Sequence, residues 1–322
     1  MKSLYLFPAI LLFASVRSGW SQVPEDFETE IITNNTIVAS SFINNEEGWL
    51  ADEAGVVWHT SNGGGSWSTI ATEKHFLKMD FVDASVGYGI TADKAFKTTN
   101  GGSAWFGLAM PGIVGSALYF LDASTGFISG VDVIYKTTNG GDSWSTISTE
   151  GASFVDFYFT SSSIAVAAAF DHDTHKCIWR TTSGGSSWSY VFDQENYFIN
   201  SVWFTDANTG WAAGHYNMTG EGKLPVIIKT TDGGMTWENI YMNESPGDLR
   251  GESLLDIRFK NEEEGIAISS YSENVITSDG GATWNKTYSL QGSIIPSYGI
   301  YKTLDGYSDM FMAGRKGFVT KW

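Results

Sequence analysis

The side chains best suited to metal or proton chemistry gather in two stretches of the chain. Asp171, His172, Asp173 and His175 fall close together, and His215-Tyr216 opens a second polar stretch that runs to Lys223. Imidazole and carboxylate together suit zinc or a similar ion. The spacing matches no recognised ligand pattern, so both stretches read first as solvated loops. His172 and His175 are the residues that would ligate a metal, no metal site is assigned, and no cofactor is expected. Adding the aromatic and cationic groups nearby, Tyr197, Tyr216 and Arg250, completes the candidate ligand-binding set.

Two acids invite a second chemistry. A glycosidase needs a pair of carboxyls about 5 to 10 Å apart across a cleft. Asp156 and Asp256 stand at equivalent places, each three residues before a repeated phenylalanine (Phe159, Phe259). The same place elsewhere holds Ala39, Lys78, Ala117 and Ser201, so no acidic ring is enforced. Acids at strand entries more often bond neighbouring amides, and no catalytic residue is assigned. No Ser-His-Asp order, phosphate loop or dinucleotide fingerprint is present.

The elements that carry these residues repeat. Six segments align without gaps, among them Lys97-Thr-Thr-Asn-Gly-Gly-Ser-Ala-Trp105 and Lys229-Thr-Thr-Asp-Gly-Gly-Met-Thr-Trp237. Their tryptophans, Trp67, Trp105, Trp144, Trp188, Trp237 and Trp284, are 38, 39, 44, 49 and 47 residues apart. A period near 40 with many short strands is that of a propeller blade. Asn, Asp or Ser before Gly-Gly supplies a tight turn, and the Trp starts the outgoing strand. The boxes are therefore scaffold. Upstream of them runs a second pattern, Phe81-Val-Asp-Ala-Ser-Val-Gly87 or Phe204-Thr-Asp-Ala-Asn-Thr-Gly210, with Ser163 in the glycine's place in the fourth repeat.

After the sixth box come Tyr301-Lys-Thr-Leu, Asp309 to Gly314 and Gly317 to Trp322, three further strands. The strand-like piece Phe27 to Ile32 would complete that last blade and remove two sheet edges. The expectation is an all-β, seven-bladed β-propeller of four-stranded antiparallel blades built on the repeated hairpins, its ring closed by the N-terminal strand.

A basic start, an apolar run from Leu4 to Val16 and small residues at Gly19 and Ser21 form a secretory signal peptide over 1–21. Residues 22–322 are then one propeller domain, secreted to an extracellular or periplasmic space. No later stretch has the roughly 20 apolar residues of a membrane span. The lone Cys177 excludes an intrachain disulfide, so packing must hold the domain together. A net charge of −17 repels nucleic acid and anionic headgroups, leaving cationic proteins or neutral glycans as partners. A monomer is expected.

The Thr-Thr-Asp-Gly-Gly-x-Thr-Trp boxes resemble the Asp-box, or bacterial neuraminidase, repeat. With the Phe-x-Asp-x-x-x-Gly pairs, the chain resembles the photosystem II stability and assembly-factor propellers from Phe27 to Trp322. That resemblance implies a lumenal or periplasmic protein that binds partners and does not catalyse. Such proteins present an arginine-rich patch, whereas only Arg180, Arg250, Arg258 and Arg315 follow the leader here. A sialidase would need three converging arginines and an Arg-Ile-Pro motif, which is absent. The resulting expectation is a protein-binding or assembly scaffold with a different partner, the alternative being a glycan-binding protein or glycoside hydrolase. Its site is expected on the face opposite the boxes, over blades 4 to 6, where the repeat swells. Phe76, Tyr197, Phe198 and Tyr216 are the expected loop-tip aromatics of the whole propeller.

Overall fold

The computed structural model describes residues 28–321, apart from 113–114, 172–176, 219–221, 243–252, 270–272, 289–300, 307–309 and 315–317. The leader expected over 1–21 lies outside the described residues.

Six four-stranded antiparallel blades follow one another along the chain. Blade 1 is Ile37–Phe42, Gly48–Asp52, Val56–Thr60 and Ser68–Ala71; blade 2 is Lys78–Phe81, Gly87–Ile90, Ala95–Thr98 and Phe106–Gly107. Blade 3 is Leu118–Phe120, Gly126–Ser129, Val133–Thr137 and Ser145–Ser148; blade 4 is Ser153–Phe159, Ala165–Phe170, Ile178–Thr181 and Ser189–Phe192. Blade 5 is Tyr197–Phe204, Gly210–Met218, Gly222–Thr230 and Glu238–Met242; blade 6 is Leu254–Phe259, Gly265–Ser269, Glu273–Thr277 and Asn285–Tyr288. A further four-stranded sheet runs Tyr301–Gly306, Met310–Gly314, Phe318–Lys321 and Glu28–Ile31.

A ring of seven blades, the last completed by the N-terminal strand, was expected; the structure corrects the count to six blades that follow one another along the chain. The remaining sheet is composite. Its outer strand pairs Glu28 with Lys321 and Ile31 with Phe318, so strands from opposite ends of the chain meet there without a hairpin turn. Tyr301–Gly306 touches the first strands of both blade 6 and blade 1. Ala313 and Val319 pack with Ile37, Phe42 and Leu50 of blade 1.

The two sequence patterns have one physical cause each. In the hairpin of blade 5, Thr230 Oγ1 donates to Asp232 Oδ1 at 2.8 Å and accepts from Gly234 N at 2.9 Å. The Asp232 carboxylate also accepts the amides of Met235 and Thr236 and the Thr236 hydroxyl. Partial burial raises the carboxyl's pKa, but these bonds together outweigh it and hold it at about 2. Gly233 and Gly234 both adopt positive φ, 73° and 81°, which favours glycine at each. The amide of the first glycine bonds the neighbouring turn of its own blade, as Gly233 N does to Asn208 O at 2.8 Å. Both kinds of turn therefore share one face.

The second pattern is steric. A Cβ on Gly87 would lie 2.5 Å from the ring of Phe81, and one on Gly210 would lie 2.6 Å from that of Phe204. The ring lies flat over the glycine and its edge meets the box tryptophan, as Phe204–Trp237 (6.0 Å, 85°) and Phe259–Trp284 (5.9 Å, 89°) illustrate. The other side of the ring meets the preceding blade: Trp49 stacks on Phe81 at 3.7 Å and Tyr88 on Phe120 at 3.3 Å. In blade 4 the residue opposite Phe159 is Ala165, not Ser163 as the sequence alignment had it. The corresponding stack, Phe127 on Phe159, opens to 4.7 Å.

Wedging of the box tryptophans between sheets is only partly realised. They are half-buried, and the fully buried wedges are Trp49, Tyr88, Phe127 and Trp211, on the second strand of each blade. Each core cluster joins two neighbouring sheets, so hydrophobic burial binds blade to blade.

Candidate binding surfaces

At the face away from the hairpin turns, blade 5 departs most from its neighbours. Its second and third strands have nine residues each, against four in blade 2. In the stretch from His215 to Lys223, expected as a loop, the described residues on either side of 219–221 instead continue the ladder: His215 faces Pro225, Tyr216 faces Leu224, and Asn217 faces Lys223. At about 3.3 Å per residue the extra length raises the hairpin roughly 16 Å. Its root is tight, because a Cβ on Gly214 would lie 1.9 Å from the Phe198 carbonyl oxygen.

The aromatic candidates meet at that root. Tyr197 and Tyr216 are cross-strand partners with ring centroids 5.3 Å apart, and Phe192 meets Tyr197 edge-on at 5.4 Å. Asn239 Nδ2 donates to the Tyr197 hydroxyl at 3.0 Å. His215 is buried and stacks on Phe198 at 4.9 Å, and its Nδ1 lies 2.9 Å from Ser253 Oγ. Burial, aided by Lys223, lowers its pKa to about 4, so it is neutral at pH 7. It is a strut between blades 5 and 6.

Asp171 is buried at the end of the second strand of blade 4, while His172, Asp173, His175 and Arg250 lie outside the described residues. Among the described residues no three His, Cys, Asp or Glu side chains gather as metal ligands. Phe76, expected at a loop tip, is fully buried between blades 1 and 2, packed edge-on against Phe96. Cys177 is buried too, and desolvation pushes its thiol up to about 12, which leaves it unreactive.

A second surface lies on the axis. The first strands of the blades enclose a cavity of about 770 Å³. Lys78 reaches from blade 2 to blade 4, where its Nζ lies 3.2 Å from Val155 O and 3.3 Å from Asp156 Oδ1. The other oxygen of Asp156 accepts Val202 N at 3.1 Å. Asp256 Oδ1 accepts Ser201 Oγ at 2.6 Å, Ile257 N at 2.9 Å and the Arg258 guanidinium. Burial raises the Asp256 pKa; Arg258 opposes this and Asp156 adds to it. Asp80 is raised to about 6 by burial, against the Phe120 amide that it accepts and the charge of Lys78. Arg258 also lies over the Trp203 ring, 4.9 Å from its centroid.

Sequence reasoning noticed Lys78 only as the residue that broke an acidic ring. It missed Asp80, Trp203 and Arg258 as channel residues. The available signal was period two: on each first strand the residues one and three before the phenylalanine share the channel side.

The comparisons with known proteins bear on this frame. No family model matches the chain, and no curated protein matches it in sequence. Solved structures do match. YCF48 bound to a D1 peptide superposes with TM-score 0.69 at 17% identity, covering 94% of this chain and 98% of that one. YCF48 from Cyanidioschyzon merolae gives TM-score 0.69 at 18% identity over 92% and 98%. The likeness is one of fold. An enzyme of Niastella koreensis, GH74, matches at TM-score 0.57 and 14% identity, with 87% of this chain covering 64% of that one. The chain is thus a β-propeller resembling YCF48, and the GH74 enzyme shares that propeller shape in part. No helix of the described residues is long and apolar enough to cross a membrane.

Proposed function

We propose that this chain is an exported, non-enzymatic Asp-box propeller that acts as a scaffold for a protein partner. The partner would dock over blades 4 to 6 on the face away from the hairpin turns. The observation that carries the reading is the raised hairpin of blade 5, with Tyr197 and Tyr216 paired at its root. Rigid aromatic groups on an elaborated sector of a repeat scaffold are the usual anchors of an interface. A propeller of this fold holding a peptide is support of a coarser kind. Engagement of both oxygens of Asp156, by Lys78 and by Val202 N, weighs against the Asp156–Asp256 pair as a hydrolytic site.

The partner's chemistry follows from charge. A chain at −17 would favour a surface rich in Lys and Arg, and association would slow as salt rises. Cutting the blade 5 hairpin to the length of blade 2's is the test. Pull-down from the native envelope or culture fluid should lose its partner, while a matching edit in blade 3 should not. Equal capture by both edited proteins sinks the proposal. Export has its own check: the mature N-terminus should map close to residue 22.

A further inference from the structure

We propose that the axial channel is a separate binding site for a neutral oligosaccharide of two or three rings, which it holds without cleaving. This does not depend on the protein-binding reading, because the residues belong to the channel and not to the blade 5 hairpin. The first observation is an aromatic wall. Tyr119, Tyr158 and Trp203 occupy the same register position in blades 3, 4 and 5, and all three line the cavity half-buried. Tyr158 and Trp203 meet edge-on at 5.1 Å. Pyranose rings present flat faces of C–H groups that pack on such walls, and hydroxyl edges that need donors and acceptors close beside them.

Those donors and acceptors stand next to the wall in balanced pairs. Lys78 is joined to Asp156, and Arg258 to Asp256. Among the described residues each pair keeps spare capacity: Lys78 uses two of its three donors, and Asp256 Oδ2 and Asp80 Oδ1 accept no bond. A hydroxyl both donates and accepts, so it fits between such partners. Asp80 adds a third carboxyl to the two pairs, so a bare anion would meet excess negative charge, whereas a neutral hydroxyl needs no counter-charge. The volume, about 770 Å³, is in the range of pockets that enclose a small ligand.

Cleavage would need one carboxyl free as nucleophile or base. Asp156 is held by Lys78 through one oxygen and by Val202 N through the other, so it is not free to act as the nucleophile or base of an Asp156–Asp256 pair. This engagement supports retention without cleavage.

Isothermal titration of the full chain with cellotriose, xylotriose and mannotriose tests this, with trigalacturonate and triglycine as the charged and peptide probes. At least one neutral trisaccharide should bind saturably, with Kd on the order of 1 mM. Tyr158→Leu should weaken it at least about tenfold, Tyr158→Phe should retain it by keeping the ring, and Tyr197→Leu on the other surface should leave it unchanged. Reducing ends should not accumulate. No saturable binding of any neutral trisaccharide at about 20 mM would overturn the proposal, as would binding of triglycine or trigalacturonate alone. Release of reducing ends that Asp156→Asn abolishes would overturn retention. Should Tyr158→Leu fail to fold, Lys78→Met must weaken the same sugar for the assignment to stand.

Discussion

Blade 2 and blade 5 share a frame and differ in what is built on it. Both have a phenylalanine laid over a glycine, Phe81 on Gly87 and Phe204 on Gly210, with a box tryptophan meeting the ring edge-on. Blade 2 stops after four-residue strands, whereas blade 5 carries its middle pair on to Met218 and Gly222. The frame lies at the hairpin-turn end of the blade and the extension at the other. Extra residues can therefore be added as ladder without disturbing the contacts that join one blade to the next.

A ring of cations strengthens the frame. Lys97 Nζ donates to Gly140 O at 3.0 Å, Lys136 to Gly184 O at 2.7 Å and Lys229 to Gly280 O at 2.8 Å; Arg180 Nε donates to Gly233 O at 2.8 Å. Each starts one box and ties it to the first glycine of the next. Blade 1 has His59 in this place. There the indole of Trp49 donates to Gly101 O at 3.1 Å instead, and His59 stacks on that indole. Lys321 of the composite sheet reaches blade 1, 3.3 Å from where a Cβ on Gly63 would stand.

If frame and extension are separable, changes to the frame should cost most. Trp237→Ala removes the ring that meets Phe204, and should destabilise by about 2 to 4 kcal/mol in urea unfolding. A loss of under about 1 kcal/mol would show that the box tryptophans are ornaments of the turn. Gly87→Ala drives a methyl into Phe81 and should cost about 2 kcal/mol, while Ala165→Gly in blade 4, where the stack is already open, should cost about half that.

The channel contributes a pH dependence. Asp80 has a folded pKa of about 6 against 3.8 for an unperturbed aspartate, so the native state binds the proton more tightly. Stability from this group is fully present below about pH 4 and falls as pH rises toward 6. Asp80→Asn keeps an acceptor for the Phe120 amide and loses the charge. It should flatten that slope and raise stability at pH 7 by about 1 to 2 kcal/mol in urea titrations. An unchanged slope would move the titration to another group.

Smaller still is the latch. Lys136→Met, half-buried, should cost about 1 kcal/mol by the same measurement, and Lys97→Met about the same. Shortening the blade 5 hairpin should have the least effect on unfolding, within about 1 kcal/mol, although it removes the proposed docking surface. A large loss from that edit would show that the hairpin is part of the frame, and the contrast between the two blades would fail.

The amino-acid sequence by itself determined the blade. Turn residues, the Phe-to-Gly spacing and the box tryptophans act within a single blade through hydrogen bonds and contact, so their positions could be read directly. It also brought Tyr197, Tyr216 and His215 into one candidate set. What it could not determine was their state: His215 and Phe76 look like loop-tip groups, yet they are buried because the neighbouring blade supplies Ser253 in one case and Ala51 and Val57 in the other. Nor could it pair Lys78 with Asp156, which are 78 residues apart and meet only across the axis. Such pairs depend on how the blades are arranged around the channel, and that is fixed by the burial of Trp49, Tyr88, Phe127 and Trp211 between sheets. The repeat specified each blade; packing between blades decided which charges would face one another.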